Sequence, residues 1–151
     1  MFQKNLCAYV FQKKSPNSLF LIQINIYKAL KNNLFIRLAC IFAATAVILG
    51  AFGAHALKSV LSESSLKSFQ TGVQYQMYHA FALLAAGILQ QFVDNRAIKW
   101  SGYFFAAGIL CFSGSLYILT LLGWRWLGPI TPIGGIFFVM GWLSLLFSTK
   151  Q

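Results

Sequence analysis

The sequence predicts an all-α integral membrane protein, a four-helix bundle with antiparallel neighbours and a short interfacial helix between helices 1 and 2. Three observations carry this reading. Only 9% of the 151 residues are charged while 58% are hydrophobic, at a mean hydropathy of +0.68, far from the roughly 25% charged residues of ordinary soluble domains. Four apolar segments, 34–57, 76–93, 100–122 and 131–148, approach the ~20 residues with which a helix crosses a hydrocarbon core about 30 Å thick. These segments are continuously apolar, whereas barrel strands alternate apolar and polar over about ten residues. A helix that satisfies its own backbone is the remaining way through lipid.

The first helix carries Ala39, Ala43, Ala46, Gly50 and Ala54 at steps of three and four, one small-residue stripe that lets a neighbouring backbone come close. Between it and the second helix, Leu66, Phe69, Val73 and Met77 recur at helical spacing. That pattern predicts a short amphipathic helix lying at the interface and running into helix 2, with Ser62 as N-cap and Glu63 as a favourable first-turn charge. In the second helix Tyr75, His79, Ala82, Ala86 and Gln90 share a face, in the third Ala107, Cys111 and Ser115, and in the fourth Gly134, Gly141, Ser144 and Ser148. Trp100 at one end, and Trp124 and Trp126 around Arg125 at the other, mark the membrane interfaces, where amphipathic rings settle. Thr131 before Pro132 reads as the N-cap and first turn of the last helix.

Residues 1–33 form a basic tail outside this domain of residues 34–150. "NSLFLIQINIY" is too short to span and is followed by no small-residue cleavage site, which argues against a cleaved signal peptide. Two readings of the tail stand: an interfacial amphipathic helix, or a start codon assigned too far upstream. With the N-terminus inside, Lys4, Lys13, Lys14, Lys28, Lys31, Arg37, Arg96, Lys99 and Lys150 lie on the inner side, against Lys58, Lys67 and Arg125 outside. This asymmetry predicts that both termini are cytoplasmic.

The net charge of +10 is dispersed between apolar runs, with no basic face interleaved with base-stacking aromatics, so nucleic acid is not an expected partner. The lipid bilayer is the expected one, through anionic headgroups, together with a membrane-protein partner or a second copy of the chain. Cys7, Cys40 and Cys111 show no metal or disulfide spacing. No metal and no cofactor are expected, since two histidines without a third ligand make a poor zinc site and no CxxCH is present.

"GAFGAHAL" (50–57), "TGVQYQMYHA" (71–80), "FSGSLY" (112–117), "ITPIGG" (130–135) and "GW" (141–142) together resemble the YgdD-type family of small membrane proteins, also known as domain of unknown function 423. The resemblance runs from about Leu34 to Ser148, with the motifs in family order and at family spacing. It implies a multi-pass protein of the bacterial inner membrane and no particular activity. The tail before Leu34 departs from the family pattern, in which chains begin close to the first helix.

With the inside-start topology, His55, Tyr75, Tyr78, His79, Ser113, Ser115, Tyr117 and Thr131 fall in the outer half of the bundle, with both histidines at its outer rim. Polar groups at membrane depth mark candidate sites by default. The competing reading is anchoring of helix ends by amphipathic rings, which suits His55 beside Lys58. For His79, facing small residues, structural hydrogen bonding and a functional role stand level. No GxSxG, HExxH or Walker motif appears and neither acid lies within a spanning segment, so the expectation is no enzyme and no catalytic residue. The expected function is a non-enzymatic membrane module, a partner or assembly factor. The alternative is a small-molecule or ion-handling protein with a polar site in the outer half of the bundle, where the start of the last helix offers N–H groups to an anion.

Overall fold

The computed structural model describes residues 33–148. The readings of the tail up to residue 32, and of Lys150, lie outside the described residues. The described chain is all-helical: α1 Leu34–His55, α2 Glu63–Phe92, α3 Arg96–Gly108, α4 Gly114–Leu122 and α5 Ile130–Ser148, with short 3-10 turns at Leu57–Ser59 and Arg125–Leu127. A π-helical turn, Ile109–Ser113, joins α3 to α4, so the two make one continuous helix from Arg96 to Leu122. The architecture is thus the four-helix bundle expected from the sequence.

Three of these helices are long and apolar enough to cross a membrane: Leu34–His55, Arg96–Leu122 and Arg125–Ser148. The remaining helix, α2, is longer than α1, at 30 residues, because the stretch expected as an interfacial helix is continuous with it. Ser62 caps it as anticipated, accepting a hydrogen bond from the Ser65 amide at 3.2 Å, with Glu63 in the first turn. Its polar first turns dilute its apolarity.

Neighbouring helices run antiparallel, and their glycines show it. Along α1 and α2, Gly50 faces Val73, Gly53 faces Phe69 and Gly87 faces Ile36, so one number falls as the other rises. Along the last pair, Gly108 faces Phe138 and Gly141 faces Phe105. The core gathers Phe35, Ala39, Ala82, Leu83, Phe105, Ile109 and Phe138. The small-residue faces enter it as expected at Ala39, Ala46, Ala82, Ala86, Gly134 and Gly141, all buried. In α1 the stripe drifts, so that Gly53 is buried and Ala54 exposed, because steps of four turn 400° and overshoot the helical repeat.

The ends are set by local chemistry. Asn95 caps α3, its Oδ1 accepting from the Ala97 amide at 2.8 Å, and its Nδ2 donates to the Ser148 carbonyl at 3.3 Å, tying this loop to the end of α5. Beside it Asp94 pairs with Lys99 at 2.8 Å; the hydrogen bond and charge of Lys99 hold the Asp94 carboxyl below its ordinary range. Gly123 ends α4 at φ 71°, a left-handed conformation that glycine adopts without strain.

One expectation is corrected. Thr131 is not the N-cap of the last helix: α5 begins at Ile130, and the Thr131 amide donates back to the Gly128 carbonyl at 3.3 Å. The Arg125–Leu127 turn and Gly128 lead directly into the helix, which frees the threonine hydroxyl for another helix. Pro132 still falls in the first turn, where a missing N–H costs nothing.

Candidate functional site

Two of the buried polar side chains, Gln76 and His79, lie one turn apart on α2 and each is the hub of a seam. Gln76 is the hub of the first. Its Nε2 donates to the Phe42 carbonyl and to Thr45 Oγ1, each at 2.8 Å, and its Oε1 accepts from the Tyr117 hydroxyl at 2.9 Å. One side chain therefore joins α1, α2 and α4. Its approach is possible because Gly72 lies one turn earlier against the Tyr117 ring.

His79 is the hub of the second seam. Its Nδ1 lies 2.8 Å from the Tyr75 carbonyl and its Nε2 lies 3.4 Å from Trp142 Nε1. An indole N–H can only donate, so Nε2 accepts, Nδ1 carries the proton, and the ring is neutral in that arrangement. The imidazole also stacks on Phe138, centroid to centroid 3.4 Å and 8° from parallel. Phe105 and Tyr75 flank it at 5.9 Å.

The remaining members of the sequence-predicted cluster divide. Ser115 and Thr131 meet hydroxyl to hydroxyl at 2.7 Å, linking α4 to α5, and Ser115 also donates to the Phe112 carbonyl. Ser113 sits in the π turn, fully buried, with no hydrogen-bond partner for its hydroxyl among the described residues. Tyr75 is part-exposed and stacks on Phe112 at 4.7 Å. Tyr78 points outward, 55% exposed, and receives a hydrogen bond from Gln74 at 2.7 Å.

His55 is exposed at the end of α1, away from all of these. The two histidines do not share a rim. Gln76 fixes the register by meeting Thr45; His55 is ten residues from that level in one direction and His79 three residues in the other, or roughly 20 Å at 1.5 Å per residue. Helix 2 begins well before "YQMYHA", at Glu63, so His79 lies in its middle turns.

Sequence reasoning missed Gln76, Thr45 and Trp142. A glutamine on the same face as His79, one turn earlier, was the available signal. The coupling can be measured. Tyr117→Phe is expected to lower stability toward denaturing detergent by about 1 kcal/mol, the scale of an interhelical hydrogen bond in lipid. Combined with Gln76→Leu it should cost less than the sum of the two single changes; strict additivity would show that the bond contributes nothing.

Comparison with known proteins follows the same stretch of chain. Residues 49–135 match a family described as protein of unknown function, DUF423. A UPF0382 membrane protein of Staphylococcus aureus (strain bovine RF122 / ET3-1) is 45% identical over 116 residues, covering 77% of this chain and 94% of the relative. Its counterpart in Staphylococcus saprophyticus is 46% identical over 115 residues, 76% of this chain and 95% of the relative. The UPF0382 membrane protein YwdK of Bacillus subtilis (strain 168) is 42% identical over 118 residues, 78% and 96% respectively. No solved structure matches the chain.

Proposed function

Because the chain belongs to the DUF423 family of membrane proteins, whose description assigns no activity, we propose from its own residues that it is a non-enzymatic membrane module. In this reading it is a multi-pass protein of the bacterial inner membrane, with both termini in the cytoplasm, that serves as partner or assembly factor of another membrane protein.

The observation that carries the reading is the use made of His79. Both its ring nitrogens are engaged within the bundle and one face is covered by Phe138. A histidine held in this way joins helices; general acid–base work or metal ligation needs a nitrogen free to exchange its partner. Gln76, Tyr117, Ser115 and Thr131 are spent in the same manner, on bonds between helices. Toward a partner, Gly114 and Gly135 have nothing within 4 Å of the place a Cβ would take, which leaves room for a further helix to approach closely.

Crosslinking in native membranes followed by purification tests the reading. A membrane protein recovered with the chain in fixed stoichiometry is the expected result. A chain recovered alone, with a small molecule or ion held among Tyr75, His79 and Ser113, would overturn it in favour of the ion-handling alternative.

A further inference from the structure

A groove of about 590 Å³ lies where α1 ends and α2 begins, lined by Lys58, Leu61, Glu63, Leu66, Lys67 and Gln70. We propose that it holds the phosphate of an anionic lipid headgroup between Lys58 and Lys67, with the lipid's glycerol and upper acyl carbons against Leu61 and Leu66. This site is separate from the two polar seams and does not depend on the module reading.

Charge is the first support. Two ammonium groups and one carboxylate line the groove, a net positive lining. The one ion pair among the described residues is Lys99 with Asp94, so neither lysine of the groove is within 4.0 Å of a carboxylate there. Glu63 lies too far from Lys67 to neutralise it by direct pairing, and instead occupies the first turn of α2.

Depth is the second. The 22 residues of α1 span about 33 Å, close to the ~30 Å hydrocarbon core. Lys58, three residues beyond its end, therefore stands at the level of the lipid phosphates. At 30 residues, or about 45 Å, α2 outruns the hydrocarbon, and since Gly53 faces Phe69 its first turn extends past the end of α1 here, where Glu63, Lys67 and Gln70 are exposed. A groove open within the headgroup layer, with cations on its walls and half-buried leucines between them, matches a phosphate ester that carries carbon better than a free inorganic ion. Lysine is a compact point charge suited to such a phosphodiester.

The test uses the full chain purified in an uncharged detergent, with bound lipid counted by native mass spectrometry. One phosphatidylglycerol per chain is the expected result, in preference to phosphatidylcholine, whose quaternary ammonium meets the lysines unfavourably. Lys58→Gln combined with Lys67→Gln should weaken retention about thirtyfold, and Glu63→Gln should strengthen it about fivefold, at the energy of one charge near a lipid surface. All three positions are exposed, and an unchanged helical circular dichroism spectrum would confirm that each variant folds. Equal retention by the double variant and the parent would overturn the proposal. Displacement of the lipid by millimolar inorganic phosphate, with phosphate itself retained, would overturn its lipid source and leave an anion site.

Discussion

Gly134→Ala is expected to be among the most damaging single-methyl changes in the protein, lowering stability toward denaturing detergent by about 3 kcal/mol, the upper range for overpacking a tight contact. The position is defined by backbone. A Cβ at Gly134 would lie 2.7 Å from the Cα of Phe112 and closer still to its amide nitrogen, so α5 and the π turn would have to separate. Elsewhere the obstacle is softer. At Gly108 and Gly141 an added methyl meets the rings of Phe138 and Phe105 at 2.5 Å, and a ring can rotate or slide. Gly135→Ala is the matched control, since open space surrounds it and alanine favours a helix over glycine by about 1 kcal/mol. The measurement is the midpoint of unfolding in mixed micelles for the two variants and the parent side by side. A Gly134→Ala protein as stable as Gly135→Ala would mean that the two helices do not approach as closely as described.

His79→Ala should cost about 3 kcal/mol, as for removal of a buried ring. The change takes away the stack on Phe138 and empties a space bounded by Phe105, Tyr75 and Trp142. It also deprives the Trp142 N–H of its acceptor. His79→Phe keeps the stack and loses both hydrogen bonds, so it should fall between the two, at about 1–2 kcal/mol. Accumulation of the protein in its native membrane, followed beside any growth phenotype, reads the outcome: reduced accumulation with His79→Ala, partly restored with His79→Phe. Undiminished accumulation with a lost phenotype would give the residue a functional role instead. Undiminished accumulation with no phenotype would count against both roles.

The helices were legible in the sequence because their signals are local. An apolar run, Ser62 followed by Glu63, and tryptophans beside basic residues each report on a few neighbouring positions, and the predicted span 34–57 differs from the helix Leu34–His55 by a single half-turn. The long reach of α2 and the early start of α3 at Arg96 were less visible. Polar first turns hide a helix from a search for apolar length, and Asn95 before Arg96 is a cap only once its side chain is seen on the Ala97 amide.

The seams were legible only in part, for a physical reason. Gln76 and Tyr117 are 41 positions apart, and their meeting depends on the rotation and axial register of two helices, which no single helix encodes. Periodicity put His79 on an interior face correctly, yet placed it level with His55, because the start of helix 2 was read thirteen residues late. Thr131 was assigned to its own helix end when its hydroxyl serves Ser115. In both cases the residue type was informative and its partner was not.

The π turn between Ile109 and Ser113 has a bearing on which changes of chain length this protein tolerates. Such a turn absorbs one residue more than an α-helix needs, and each residue carries the helix through 100°. Loss of one residue there would leave a smooth, uninterrupted helix and cost no apolar length. Because the bulge already takes up that residue's rotation, Ser115 would keep facing Thr131 and Tyr117 would keep facing Gln76, and both joints that α4 makes with its neighbours would hold. The segment between Gly108 and Gly114 therefore has slack for the loss of one codon, whereas loss of a second has no bulge to draw on and would turn every contact downstream as far as Gly123 through about 100°.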